Sequence, residues 1–227
     1  MRSAEAVTGM ARRSFLSGLA ACLSFYWRSA HAHDVGPVEP PLEVPEVAVR
    51  SSDGLHAPLR DLLRGRVTAI QLMFTRCKSI CPIEAATLAR VQEALGDHPP
   101  DDIRLLSLSI DPITDTPEVL RIWLQRFGAR PGWTAASPAE NDLPRVRTFF
   151  ERRPDLGEIH ATAVNLVDRS GLLVWRTLDL PSPTEVAQLL LRLNRTLRTD
   201  AKFGGGQMKR AGLISPAQAA SVDKMIL

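Results

Sequence analysis

Residues 67–96 read VTAIQLMFTRCKSICPIEAATLARVQEALG. Val67 to Phe74 is an apolar run interrupted only by Thr68 and Gln71. It is short and partly β-branched, which predicts a buried strand. Pro82 then stands where a helix opens. Ile83, Ala86, Leu88, Val91 and Leu95 recur at helical spacing until Gly96 closes the turn. A buried strand thus runs through a loop holding Cys77 into a helix whose mouth holds Cys81.

On either side of this stretch the same alternation repeats. Ile103 to Ile110 predicts a second buried strand. Thr116-Pro117-Glu118 starts a helix whose apolar face is Leu120, Trp123, Leu124 and Phe127, ending at Gly128. A further helix is expected over Asn141 to Phe150. Ala163 to Val167 and Leu172 to Thr177 predict two strands joined across Asp168-Arg169-Ser170-Gly171. Pro183 opens a last helix through Leu189, Leu190, Leu193 and Leu197. On the N-terminal side, Val47 to Val49 and the Asp53-Gly54 turn predict a β-hairpin leading into Leu59. Residues 33–46, rich in Pro and Glu, are expected as a linker, 47–199 as the domain and 200–227 as a tail. The expected fold is α/β, with a central mixed sheet flanked by helices and an N-terminal β-hairpin.

The chain has 227 residues, room for one domain with extensions. At 44% hydrophobic and 23% charged, its composition excludes a disordered chain. The net charge of +3 is local: the first 33 residues hold four of the 28 basic and one of the 25 acidic side chains, leaving 24 against 24. Residues 1–32 predict a secretory signal. A basic stretch ends at Arg12-Arg13, an apolar run spans Phe15 to Trp27, and Ala30-His31-Ala32 offers a cleavage site. That run is shorter than a membrane-spanning helix needs. Arg12-Arg13-Ser14-Phe15-Leu16 resembles a twin-arginine motif. Leu19-Ala20-Ala21-Cys22 competes as a lipobox, which would leave Cys22 as a lipidated anchor. The expectation is an exported protein, periplasmic or held at the periplasmic membrane face, in an oxidising compartment.

That compartment makes Cys77 and Cys81 informative. Unpaired N–H groups at the helix start, with Arg76 and Lys78 beside Cys77, favour thiolate. Three readings fit the pair: a plain structural disulfide, a redox disulfide, or a thiolate metal site. Two cysteines with no second pair cannot close a tetrahedral zinc site. Soft thiolates suit Cu(I), particularly with one imidazole added. Of the five histidines, His31 and His33 lie at the signal and its cleavage point, and His56 and His98 fall in loops. His160 ends the irregular stretch before the Ala163 strand. Met73 is expected in the core rather than as a thioether ligand.

Three matching stretches carry a resemblance. They are Cys77-x-x-x-Cys81-Pro82 after Phe74-Thr75; Ser109-Ile110-Asp111-Pro112-Ile113-Thr114-Asp115-Thr116-Pro117; and His160 followed by Asn165-Leu166-Val167-Asp168 and Gly171. Over roughly residues 44–195 the sequence resembles the Sco/SenC family of thioredoxin-fold copper chaperones. The resemblance implies a thioredoxin-like fold and one copper ion per chain bound by Cys77, Cys81 and His160. It also implies delivery of that copper to a respiratory copper enzyme, the binuclear copper centre of cytochrome c oxidase foremost. Lys78 departs from the pattern, since many members carry Pro after the first cysteine. Leu72-Met73-Phe74 replaces their aromatic-Gly-aromatic lead-in.

Metal transfer by ligand exchange needs an open, shallow site and no turnover. The alternative is an enzyme, a thiol–disulfide oxidoreductase using Cys77 and Cys81 to reduce the acceptor's copper-ligand cysteines. The x3 spacing, and the absence of Pro from Glu158-Ile159-His160-Ala161-Thr162, favour metal binding. Phe74, where a peroxidase needs Thr or Ser, argues against peroxide chemistry. Asp111-Pro112 is a turn sequence, and Asp115 or Thr116 is expected to cap the Pro117 helix. As a second reading, Asp111 at the strand's end could orient His160 or tune the metal. The balanced charge without a basic stripe argues against nucleic acid.

Overall fold

The structure is a computed structural model. It describes residues 35–97, 99–151 and 162–203, with side chains to residue 196. Residues 1–34, where the secretory signal is expected and Cys22 falls, and His98, His160 and the tail beyond 203 lie outside the described residues.

An eight-stranded mixed sheet organises the domain, in the order β1-β8-β7-β4-β5-β6-β2-β3. Its centre is the parallel trio β4 (Val67–Met73), β5 (Ile103–Ser109) and β6 (Trp133–Pro138). Antiparallel β7 (Ala163–Val167) and β8 (Leu172–Asp179) extend one side. The hairpin of β2 (Ala48–Ser51) and β3 (His56–Pro58) closes the other. Every residue of β4 is buried, as expected for a strand covered on both faces.

Side-chain alternation along β4 divides the core in two. Val67, Ala69 and Met73 pack with Leu88 and Val91 of α2 (Cys81–Ala94), Leu120 and Trp123 of α3 (Pro117–Arg126), and Leu190 and Leu193 of α5 (Pro183–Phe203). Ile70 and Leu72 pack on the opposite face with Leu59 and Leu63 of α1 (Leu59–Leu63), and with Val146 and Phe150 of α4 (Leu143–Phe150). Both cysteines belong to the first cluster.

Two expectations change. Part of the linker expected over 33–46 is a strand, β1 (Gly36–Glu43), antiparallel to β8 at the sheet edge. Its Pro37, Pro40 and Pro41 lack N–H donors, which an edge strand tolerates. The segment between α3 and α4 also contains β6, which the sequence reading passed over. Trp-Thr-Ala-Ala-Ser-Pro carries little strand signal of its own. It forms because β5 offers a parallel edge and Trp133 Nε1–H donates to Ser107 Oγ at 3.0 Å.

Candidate functional site

The cysteines stand where β4 ends and α2 begins. The Cys77 N–H donates to Phe74 O at 3.2 Å, closing a tight turn directly after the strand. Cys81 is the first residue of α2, and Pro82 fits there because the opening turn has no use for its missing N–H. The Cys81 N–H donates to Cys77 Sγ at 3.4 Å, and Ser79 Oγ lies 3.7 Å from the same sulfur. Both thiols are free.

The two thiols differ sharply. For Cys77, burial pushes the pKa up, but hydrogen bonds from the Cys81 backbone and side chain and from Ser79 outweigh it and bring the thiol down to about 7. For Cys81, burial dominates, and the neighbouring Cys77 and Glu84 add to it, pushing that thiol up to about 12. The expectation of thiolate at the helix mouth, Cys81, is overturned by burial; Cys77 is acidic as expected, but through hydrogen bonds from Cys81 and Ser79 and not through the Arg76 and Lys78 charges. The site is also less open than expected: Cys77 is 6% exposed and Cys81 3%, with Phe74 and Ile80 packed against their cluster.

The loop before Cys77 is fastened to the segment after β5. Asp115 is fully buried and accepts from the Thr75 N–H and hydroxyl and from Ser109 Oγ at 2.6 Å. Ser109 Oγ in turn accepts from the Asp111 N–H at 2.9 Å. Arg76 donates through Nε and Nη2 to Asp111 Oδ2 at 3.1 and 2.9 Å. Thr116 is the helix cap, accepting from the Val119 N–H at 3.3 Å. Asp115 thus serves the cysteine loop instead of the helix. The Arg76 charge is neutralised by Asp111, while Lys78 is exposed with no ion pair among the described residues.

One residue of this site went unread in the sequence. Glu84, one turn into α2, is 5% exposed. Burial pushes its carboxyl up to about 8; the nearby Gln71 amide opposes the rise, and the Cys77 and Asp179 charges add to it. Glu84 Oε1 and both Gln71 amide atoms have no hydrogen-bond partner among the described residues. Glu84, Gln71, Thr87 and Thr162 line a small cavity of about 10 Å³, the size of one water. Glu84 falls among the apolar positions of its helix, and an acid at such a position was the available signal. Met73 is 2% exposed in the core, as expected.

Two converging sulfurs, one thiolate-prone, suit a soft monovalent metal ion. Among the described residues no group of three His, Cys, Asp or Glu side chains could hold a metal, so the cysteines supply two donors. No described helix is long and apolar enough to cross a membrane.

The SCO1/SenC family model matches residues 59–193. A SCO2-like protein of Rickettsia felis is 28% identical over 140 residues, covering 57% of this chain and 67% of that protein. The crystal structure of a SCO1/SenC family lipoprotein from Bacillus anthracis is 25% identical, with a TM-score of 0.58 over 69% of this chain and 99% of that one. Bradyrhizobium japonicum ScoI, solved with copper bound, is 23% identical, with a TM-score of 0.56 over 66% and 99%; at that identity the likeness concerns the fold. The expected fold class, a mixed sheet flanked by helices, agrees with these structures.

Proposed function

The chain belongs to the SCO1/SenC family, and from that premise we propose that it is an exported copper metallochaperone whose cargo ion is held by Cys77, Cys81 and His160. The observation that carries this reading is the pair of converging soft donors at the end of β4, one with its pKa at about 7. A thiol of that acidity loses its proton near neutral pH, so a soft cation meets a ready thiolate. Position 162 supports the third ligand. Thr162, two residues after His160 in the sequence, lines the small cavity that also takes in Glu84 on the helix of Cys81. The chain therefore enters β7 on the cysteine side of the sheet.

The copper-bound relative supports copper as cargo. The family resemblance supports a respiratory copper enzyme as acceptor, the binuclear centre of cytochrome c oxidase foremost. The lipoprotein relative supports a place at the membrane face of an exported compartment, reached through the segment that contains Cys22.

The test is titration of the reduced protein with Cu(I) against a competing chelator. One ion per chain is expected, with binding lost in Cys77→Ala and in His160→Ala. Full retention in His160→Ala would sink the three-ligand site.

The divided acidity also favours a second reading, disulfide reduction of the acceptor. Cys77 thiolate attacks a sulfur of the acceptor disulfide and expels the other as thiolate. Cys81, on losing its proton, attacks Cys77 Sγ and releases the reduced acceptor. Two electrons pass to the acceptor, the chain is left as a disulfide, and a thiol reductant must reset it. If a synthetic acceptor peptide carrying an oxidised cysteine pair is not reduced at stoichiometric chain, this reading fails.

A further inference from the structure

Away from the cysteines, a cavity of about 430 Å³ lies on the α1 face of the sheet, at the N-terminal ends of the parallel strands. We propose that this cavity, where Arg66, Thr68 and Arg104 converge, binds a small tetrahedral oxyanion of the phosphate or sulfate class. Thr68 and Arg104 are direct neighbours in the β4–β5 register, so their side chains share one face. Arg66 stands at the bend leading into β4.

Each guanidinium is fixed by one backbone carbonyl. Arg66 Nη1 donates to Leu62 O at 3.3 Å, and Arg104 Nη1 donates to Ile103 O at 2.9 Å. Among the described residues neither forms an ion pair with a carboxylate. A guanidinium carries five N–H donors, so each keeps donors to spare. Burial, with the Arg66 charge second, holds the Arg104 pKa below the usual guanidinium range; Asp101 and Asp102 oppose this. Two like charges that line one cavity and act on each other gain from an anion placed between them.

The second observation is Thr68 itself. It is 1% exposed, it lines the cavity, and its hydroxyl has no hydrogen-bond partner among the described residues. A buried hydroxyl without a partner costs about 1–3 kcal/mol, and an oxyanion would accept from it. Asp53 and Asp61 also line the cavity, but both are exposed, and Asp53 is engaged by the Ser51 hydroxyl and the Leu55 N–H. The volume admits an oxyanion carrying an organic substituent. Along β4, Thr68 is roughly 17 Å from Met73 and the cysteine loop, so the site is independent of the cysteine chemistry.

The test is calorimetric titration of the full chain with inorganic phosphate, at ionic strength held constant with chloride. Saturable one-to-one binding is expected, weakened about tenfold or more by Arg66→Gln or Arg104→Gln and several-fold by Thr68→Val, with Cys77 alkylation unchanged in all three. Thr68→Val nearly preserves volume and keeps the proposal testable if an arginine variant fails to fold. Heats indistinguishable from chloride, or equal affinity in the chain and its folded variants, overturn the proposal. Sedimentation with phosphatidylglycerol vesicles separates two sources of the same chemistry. Vesicle binding that needs Arg66 and Arg104 and yields to inorganic phosphate assigns a lipid headgroup. Phosphate binding without vesicle binding assigns the free ion.

Discussion

Cys77 and Cys81 are the same residue four positions apart, yet their thiols sit at about 7 and about 12. Cys77 lies in the loop, where the Cys81 N–H and Ser79 point donors at its sulfur. Cys81 lies in the first turn of α2, against the core and beside Glu84. Helix position alone does not acidify a thiol. What matters is where the donated N–H groups point, and at this turn they point at the cysteine in the loop. The pair is thereby divided into one sulfur that is ready to react or bind and one that must first lose a costly proton.

The largest effect that can break this contrast is alkylation. With iodoacetamide at pH 7, Cys77 is about half thiolate, while Cys81 stays almost wholly protonated. Peptide mass spectrometry should find the label on Cys77, rising with pH around 7. Equal labelling of both cysteines would refute the division.

Glu84→Gln comes next. A carboxyl near 8 in the fold and near 4.5 unfolded keeps its proton only in the native state. Its contribution is fully present below pH 4.5 and lost as pH rises through 8, at about 1.4 kcal/mol per unit of difference. Urea unfolding of the Gln variant should therefore fall less between pH 4.5 and 8 than that of the parent, by on the order of a few kcal/mol. Parallel pH profiles would remove Glu84 from the account.

Asp115→Ala should cost about 3 kcal/mol in urea unfolding, because it strips the buried acceptor from Thr75 and Ser109. It should also raise the Cys77 alkylation rate by loosening the loop. An unchanged rate in the folded variant would separate the fastening from the cysteine. Arg76→Ala should be the mildest, below about 1 kcal/mol, since its partner Asp111 is met at the surface. A larger loss would mean that the Arg76 link shares the work assigned to Asp115.

Much of the site was legible because its carriers are local. Val67 to Phe74 reads as a strand, Pro82 as a helix start and Cys77-x-x-x-Cys81 as a pair of soft donors without any knowledge of partners. A cap before Pro117 was equally legible, since capping needs only the next three residues, although Asp115 and Thr116 both qualified and the structure chose Thr116. Asp115 was not, because its partner Thr75 lies 40 positions away. Strands β1 and β6 escaped for the same reason. Pro-rich and Ala-rich segments become strands only where β8 and β5 offer an edge.

By itself the sequence determined the α/β alternation, the hairpin, the place of the cysteines between strand and helix, and the family, all carried by stretches that are each readable without knowing their partners in the fold. The tertiary structure alone decided which thiol is acidic, that both are buried, that Glu84 stands beside them in the core, and that Asp115 holds their loop. Those properties depend on burial and on hydrogen bonds across the fold, and neither exists until distant segments meet.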